Sequence, residues 1–156
     1  GIIFRDITPI LLNPSLFEEL IFQMKEILYG TDLLFEKVVG VEARGFIIGG
    51  AFAHYNEYGF VPIRKHGKLP KETHFKKCKL EYGEEILEIH KDAINPGEKV
   101  LLIDDVLATG GTAKAAIELI EACGGECVGS LFFMELLGLG GREKLGDKNV
   151  FSVIKL

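Results

Sequence analysis

The stretch that decides the fold is residues 100–112, which run VLLIDDVLATGGT. It begins with four apolar residues, Val100–Ile103, as expected for a strand of a parallel sheet that is buried on both faces. Asp104 and Asp105 come next, at the carboxyl end of the strand, where open α/β sheets bind their ligands. The order therefore predicts a strand, a ligand-binding loop and a helix that begins near Thr112.

The loop after this strand has the composition of an anion site, and its residues are Ala108, Thr109, Gly110, Gly111 and Thr112. The glycines let backbone N–H groups approach an anion closely, the threonines add hydroxyl donors, and the next helix contributes its positive end. Two carboxylates beside a phosphate would repel it unless they bind another part of the ligand. The sequence thus predicts a sugar phosphate, with its phosphate in the loop and its ribose hydroxyls on Asp104 and Asp105.

Two other nucleotide-binding patterns are missing from the sequence. No Gly-Lys-Ser/Thr follows the loop, and Gly-x-Gly-x-x-Gly does not occur, so the fingerprints of nucleoside triphosphate and dinucleotide sites are absent. An Asp-rich turn and a Thr cap without any ligand would be the bland alternative. The ordering of thirteen residues argues against it.

Periodicity and turn residues predict an alternating α/β chain with one domain over residues 1–156. Asn13-Pro14 should begin a helix that ends at Gly30, and residues 66–78, rich in lysine, should form a mobile loop. Further helices are predicted over 45–56 and 112–123. Strands are predicted over 38–41, 60–64, 79–82, 86–89, 100–103, 127–134 and 150–154.

Several segments together resemble the type I phosphoribosyltransferases, and among them the adenine-specific members. The PRPP (phosphoribosyl pyrophosphate) signature is residues 100–112, and the further segments occur in the family's order. They are Gly1–Pro9 (GIIFRDITP), Val41–Phe46 (VEARGF), Ile63–Pro70 (IRKHGKLP), Leu80–Gly83 (LEYG) and Gly141–Leu145 (GREKL). The resemblance implies a central, mostly parallel sheet flanked by helices, a flexible catalytic loop, and a small hood made by the amino-terminal segment and the 136–148 loop.

The resemblance also implies roles for individual residues. Asp104, Asp105 and the 108–112 loop would bind the ribose 5-phosphate of PRPP. Pyrophosphate would lie against Glu42, Ala43 and Arg44, with a cis peptide between Glu42 and Ala43, and against Arg64, Lys65 and Lys68. From the residues alone, a solvated arginine is an equally good interpretation of Arg44, and a solvated charge run is the usual interpretation of the other three cations.

The base would be bound and activated by residues from three segments. Ile3, Phe4, Arg5 and Leu136 would form the adenine site, Glu81 would share a proton with N7 of the base, and Tyr82 would line the closed loop. Without the resemblance, core packing would be the safer interpretation of Ile3 and Phe4, and Glu81 would pass for a solubilising surface acid.

Cofactors and partners follow from the same family likeness. It implies Mg²⁺ bound through substrate and water with no direct protein ligand, adenine and PRPP as substrates, AMP as product, and a homodimer in which some basic residues reach the neighbouring active site. Another type I phosphoribosyltransferase, or a nucleotide-sensing regulator of the same fold, is the alternative.

Composition limits the remaining possibilities. The chain has 156 residues, 47% of them hydrophobic, and a net charge of −5, which argues against nucleic acid and anionic membranes as partners. Cys78, Cys123 and Cys127 lack metal or disulfide spacing and suggest a reducing cytoplasmic setting. The four histidines lack a ligand spacing and should be surface or loop residues rather than metal ligands. We also expect that a segment preceding Gly1 is missing and contributes to the base pocket.

Overall fold

In the computed structural model, which describes residues 6–80 and 83–156, helices and strands alternate along most of the chain. The helices are α1 (Thr8–Leu12), α2 (Pro14–Leu28), α3 (Arg44–Tyr55), α4 (Gly111–Ala122) and α5 (Gly141–Lys144). The strands are β1 (Lys37–Val41), β2 (Gly59–Lys65), β3 (Thr73–Leu80), β4 (Gly83–His90), β5 (Lys99–Leu107), β6 (Glu126–Glu135) and β7 (Val150–Lys155). None of the helices in these described ranges is long and apolar enough to cross a membrane.

The strands form a seven-stranded sheet in the order β3-β4-β2-β1-β5-β6-β7. Strands β2, β1, β5, β6 and β7 are parallel to one another, whereas β4 pairs antiparallel with both β2 and β3. The predicted central, mostly parallel sheet is confirmed.

Helices cover both faces of the sheet. Successive side chains of each central strand point to opposite faces, so an unbroken apolar strand needs a covering helix on each side. Leu101 and Ile103 of β5 pack with α2 and α3 on one face, and Val100 and Leu102 pack with α4 on the other. All four are fully buried, which explains the unbroken apolar run in the sequence.

The predicted amino-terminal helix is confirmed as α2, including its start. The Asn13 side chain accepts hydrogen bonds from the backbone N–H groups of Ser15 and Leu16, at 3.0 and 3.1 Å. Pro14 occupies the first helical position, where its missing N–H group costs nothing. Leu20 and Met24 of this helix lie buried against the sheet.

The prediction of a mobile loop over residues 66–78 is wrong for residues 73–78, which belong to β3. This strand pairs with β4 from Thr73 to Leu80, so the predicted ribbon is much longer than expected. The lysines suggest a solvated loop, but they belong to an edge strand of the sheet, where lysine is common and hinders pairing with other chains. Lys76 lies 2.6 Å from Glu118 of α4 and ties the ribbon to that helix.

Strand β5 is also longer than predicted. It continues through Leu107 because β6 pairs with it as far as Glu135, so Asp104 and Asp105 lie within the strand rather than after it. Strand β1 pairs with β5 only up to Ile103. The two carboxylates therefore face a gap where the neighbouring strand has already ended.

The cysteines agree with the sequence prediction, since none is in a disulfide, whereas His90 does not agree with it. The three cysteines are free thiols, and burial raises the pKa of Cys127 to about 11. The surface prediction is wrong for His90, which is half-buried and whose Nε2 atom is enclosed without a hydrogen-bond partner among the described residues. This ring lies at the end of β4, next to buried Ile89.

An ion pair between the partly exposed Arg142 and the buried Glu135 fixes the segment between β6 and β7. Arg142 donates two hydrogen bonds to the Glu135 carboxylate, at 2.8 and 2.6 Å, and a third to the Val150 carbonyl oxygen at 2.8 Å. Ser152 donates to the same carboxylate at 2.8 Å. Hydrogen bonds from Arg142 and Ser152 lower the pKa of Glu135, which is 3% exposed. The sequence interpretation assigned Arg142 to a family segment without a role, and missed Glu135.

We predict that Arg142→Leu lowers the free energy of unfolding by about 2–3 kcal/mol at pH 7, because it leaves a buried carboxylate without its cation. In the wild type the contribution of Glu135 is present above its ordinary pKa and is lost as pH falls through the lowered value. The wild type and the variant should therefore converge in stability as pH falls towards about 4. Urea unfolding at several pH values measures this.

The matched control is Lys71→Leu, which breaks the exposed pair with Asp92. It should stay near wild-type stability at every pH. An Arg142→Leu deficit that is the same at pH 4 and pH 7 would contradict the electrostatic explanation.

Candidate active site

Two loops meet where β1 and β5 end, on either side of the gap beside β5. The first joins β1 to α3 through Glu42 and Ala43, and the peptide bond between them is cis, as the resemblance implied. The second joins β5 to α4 through residues 108–110. Strand β1 leads through α3 to β2, on one side, while β5 leads through α4 to β6, on the other. Such a reversal of direction is where open α/β sheets bind ligands.

The acid pair of β5 lies in this gap and is joined to the first loop by an arginine. Arg44 Nε lies 2.7 Å from Asp105 Oδ2, and the Asp105 N–H group donates to Asp104 Oδ1 at 2.9 Å. Arg44 was predicted to bind pyrophosphate, and here it bridges the two loops. Asp105 is only 6% exposed.

Burial raises the pKa of both acids, and the charge of Asp105 adds to the effect on Asp104. Burial, followed by the charge of Asp105, raises the pKa of Asp104 well above its ordinary value. Burial also raises the pKa of Asp105, against the opposing effect of the Arg44 charge. Two adjacent carboxyl groups with raised pKa values are suited to bind neutral hydroxyl groups, since a protonated carboxyl can donate and an ionised one can accept.

Gly45 leaves the space that Asp104 occupies. A Cβ atom at this position would lie 2.6 Å from Asp104 Oδ1 and 3.3 Å from the Ile103 carbonyl oxygen. The first turn of α3 therefore approaches β5 closely only because residue 45 has no side chain. The sequence interpretation placed Gly45 at the helix start and gave no reason for it.

The predicted anion loop has the expected backbone. Gly110 has a φ of 76° and caps α4, and no side chain caps this helix end. The first N–H groups of a twelve-residue helix are thus directed at the loop, as in sites that bind phosphate.

Neighbouring backbone also packs tightly against this loop. A Cβ atom on Gly110 would lie 2.7 Å from the Gly141 carbonyl oxygen, and one on Gly111 would collide with the Lys79 carbonyl oxygen. Gly141 itself lies against the Ala108 carbonyl oxygen. The phosphate loop is therefore in contact with both α5 and the end of the β3–β4 ribbon.

Three of the predicted pyrophosphate-binding cations lie on β2 or in the turn that follows it. The side chains of two of them, Arg64 and Lys68, converge on Glu42, and that of Lys65 does not. Arg64 Nε and Lys68 Nζ each lie 3.3 Å from the Glu42 carboxylate, which also accepts the Lys65 N–H group at 3.1 Å. The Lys65 side chain extends elsewhere and pairs with Glu85 of β4 at 2.6 Å. Arg64 and Lys65 are adjacent in β2, and their side chains diverge, one to Glu42 and the other to Glu85.

The predicted base-binding residues are described only in part. Leu136 is half-buried directly after β6, and its N–H group donates to the Leu107 carbonyl oxygen at 2.9 Å. It thus follows Glu135, the acid held by Arg142, and adjoins the end of β5. Ile3, Phe4, Arg5, Glu81 and Tyr82 lie outside the described residues.

The site has the donor chemistry for a cation that is bound mainly by a substrate. Within residues 6–80 and 83–156, no three histidine, cysteine or acidic side chains converge to hold a metal ion. Asp104, Asp105 and Glu42 nevertheless supply carboxylate oxygens, the ligand type that Mg²⁺ prefers, beside the anion loop. These residues fit a magnesium ion that also binds substrate oxygens and water.

Comparisons with known proteins agree with this geometry. The family model described as phosphoribosyl transferase domain matches residues 12–156. A relative from Ruegeria pomeroyi named adenine phosphoribosyltransferase is 57% identical over 145 residues, which cover 93% of this chain and 80% of the relative. The chain belongs to the phosphoribosyltransferase family.

Solved structures of adenine phosphoribosyltransferases share the fold of this phosphoribosyltransferase. The crystal structure from Thermoanaerobacter pseudethanolicus has a TM-score of 0.96 and 44% identity, covering 100% of this chain and 90% of that one. The Saccharomyces cerevisiae enzyme, complexed with an imino-altritol bisphosphate and adenine, has a TM-score of 0.92 and 42% identity, covering 98% and 88%. The predicted family and fold class are confirmed.

We predict that Gly45→Ala abolishes most of the activity of this phosphoribosyltransferase, because the added methyl group displaces the Asp104 carboxylate. The matched control is Gly50→Ala on the same helix, where a Cβ atom would meet nothing within 4 Å. Removing a helical glycine there should stabilise the protein by about 0.5–1 kcal/mol. Pyrophosphate release with PRPP and adenine, together with thermal unfolding, compares the two variants. Equal activity of both would mean that Asp104 tolerates displacement.

Proposed function

We propose that the chain transfers the 5-phosphoribosyl group of PRPP to N9 of adenine, giving AMP and pyrophosphate for purine salvage. The observation that carries the proposal is the Asp104–Asp105 pair beside the anion loop, with Asp104 half-buried and Asp105 buried and paired with Arg44 in the gap beyond the end of β1. The relatives named adenine phosphoribosyltransferase support adenine as the base.

The ribose 5-phosphate half of PRPP accounts for the polar groups along β5 and α4. The phosphate binds the N–H groups of residues 109–112 and the hydroxyls of Thr109 and Thr112. The vicinal ribose hydroxyls bind Asp104 and Asp105, whose burial in the free protein is offset by these hydrogen bonds. The sugar is thereby held with C1 directed into the gap.

The pyrophosphate half is bound by the opposite loop. Arg64 and Lys68 pair with Glu42, and Arg44, which follows the cis bond, pairs with Asp105, so the three bring positive charge to the side where the leaving group departs. Fixed cations that meet developing negative charge lower the barrier of the transfer step. Lys65 would act only from a different orientation, since its side chain pairs with Glu85.

Magnesium, when bound, neutralises diphosphate charge and orients PRPP. The chain's contribution would be the carboxylates of Asp104, Asp105 and Glu42, which lie around the same gap. We propose that they contact the ion through water and substrate oxygens.

The base reacts from the side of the predicted hood, which is made by the amino-terminal segment and the 136–148 loop. Phe4 and Leu136 provide a flat apolar slot, and the main-chain groups of Ile3 and Arg5 read the 6-amino edge. A 6-oxopurine would place a carbonyl against a carbonyl there, and an unpaired buried polar group costs about 1–3 kcal/mol. The N9 lone pair forms the new bond to C1 of the ribose while the bond from C1 to the pyrophosphate oxygen breaks. The Glu81 carboxylate receives the proton that N7 loses.

A homodimer in the cytoplasm completes the proposal. Large apolar side chains stay exposed on the first helices of the chain, among them Leu12, Leu16 and Phe22, and they are available for a subunit contact. Free buried thiols suit a reducing compartment. Sedimentation analysis of the protein would report the dimer directly.

The experiment that tests the function is pyrophosphate release with PRPP and Mg²⁺, with adenine, hypoxanthine, guanine and orotate offered separately. We expect turnover with adenine alone. Turnover with a 6-oxopurine or orotate would assign the chain to another type I phosphoribosyltransferase. PRPP binding without turnover of any base would favour a nucleotide-sensing regulator.

We predict that Glu81→Gln lowers kcat by about 10²–10⁴-fold, the usual contribution of a positioned acid or base, and leaves the affinity for PRPP nearly unchanged. Glu84→Gln, on the exposed start of β4, is the matched control and should keep wild-type kcat. Steady-state kinetics with adenine, and PRPP binding by calorimetry, provide both quantities. An unchanged kcat in Glu81→Gln would remove this residue from proton transfer.

A further inference from the structure

Glu88 is a buried acid that the proposed mechanism does not use. It lies in β4 opposite Arg64 of β2, and only 2% of its surface is exposed. An ionised side chain is almost never buried so deeply unless it has partners that replace water. Its partners therefore indicate what it does.

Those partners belong to one short segment, residues 66–69, which follows β2. Glu88 Oε1 accepts the backbone N–H groups of Lys68 and Leu69, each at 2.9 Å. Glu88 Oε2 lies 3.1 Å from Nδ1 of His66. The carboxylate thus accepts backbone N–H groups of this turn that would otherwise need a neighbouring strand or a capping side chain as acceptor.

The segment held by Glu88 carries Lys68 and contacts Arg64, two cations of the pyrophosphate side. Lys68 Nζ reaches Glu42, and the Lys68 carbonyl oxygen accepts a hydrogen bond from Arg64 Nη1 at 3.2 Å. Arg64 in turn lies beside Glu42. Moving the backbone at residue 68 would therefore shift Lys68 and release one contact of Arg64.

The ionised form of Glu88 is the form that fits these contacts. Burial opposes ionisation, but hydrogen bonds from the backbone of Leu69, Gly67 and Lys68 outweigh it and lower the pKa of Glu88. Hydrogen bonds to a charged acceptor are about twice as strong as neutral ones. His66 contributes less to the position of the turn, since its side chain is 59% exposed.

We propose that Glu88 is a positioning residue, which fixes the turn at residues 66–69 so that Lys68 and Arg64 are in place for the diphosphate of PRPP. The inference rests on the proposed function for its substrate. It assigns to Glu88 an effect on diphosphate binding that does not extend to the base.

The test compares Glu88→Ala and Glu88→Gln with the same changes at Glu98. Glu98 is a matched control because it also accepts a backbone N–H group, that of Asn95, and pairs with a lysine, Lys37, each at 2.9 Å, in a different part of the fold. The measurements are KM for PRPP, KM for adenine, the Kd of inorganic pyrophosphate, and hydrogen exchange of the Lys68 and Leu69 amides.

We expect Glu88→Ala to raise KM for PRPP and Kd for pyrophosphate by about tenfold or more, as the loss of a charge-assisted hydrogen bond predicts. Glu88→Gln, which keeps an acceptor oxygen, should recover part of that loss. Both variants should exchange the Lys68 and Leu69 amides faster, with KM for adenine within about twofold of wild type. The Glu98 variants should change none of these quantities, whatever they do to thermal stability.

Unchanged pyrophosphate affinity in both Glu88 variants would overturn the proposal, as would equal increases of both KM values. If Glu88→Ala does not fold, amide exchange and pyrophosphate binding of Glu88→Gln decide. A wild-type protein that binds pyrophosphate but converts no base would overturn the proposed function, while the pyrophosphate Kd of the variants would still test the role of Glu88.

Discussion

The constraint on which the rest of the site depends is the placement of two adjacent carboxyl groups at the end of β5, one half-buried (Asp104) and one buried (Asp105). Asp104 and Asp105 lie in the part of β5 that β1 no longer covers, so they have a neighbouring strand on one side only. Their charge is balanced by Arg44 and their space is left by Gly45. The start of α3 and the end of β5 therefore had to be selected together, although about sixty residues separate them in the chain.

A second set of buried acids holds the segments around this pair. Glu135 fixes Arg142 and hence α5, whose first residue, Gly141, packs against the anion loop. Glu88 does the same for the turn that carries Lys68. In both cases a strand, which is rigid, provides the carboxylate, and it holds a short segment outside the sheet, α5 or the turn at residues 66–69. Such acids cost free energy to bury, and a fold retains them where a loop must keep one conformation.

Much of this arrangement could be predicted from the sequence, because the signals were local. The apolar run of β5, the cap at Asn13 and the Thr-Gly loop each depend on neighbouring residues. The strand residues 73–78 were missed because their lysines reflect an edge position, which only the strand order reveals. The roles of Glu88 and Glu135 and the need for a glycine at position 45 were also missed from the sequence. Each depends on contacts with residues elsewhere in the chain. A long-range contact has no periodicity, so the pattern of one strand cannot report it.

The cations of the site are already paired before any substrate binds, and this has a physical consequence. Arg44, Arg64 and Lys68 are long side chains that lose rotamer freedom when they bind a ligand. Here Asp105 and Glu42 hold them at 2.7–3.3 Å, so that part of this loss occurs on folding instead. A diphosphate carries more negative charge than either carboxylate and can share or displace these contacts. The carboxylates therefore weaken the field at the gap while keeping its cations oriented, which is the compromise that a preorganised anion site requires.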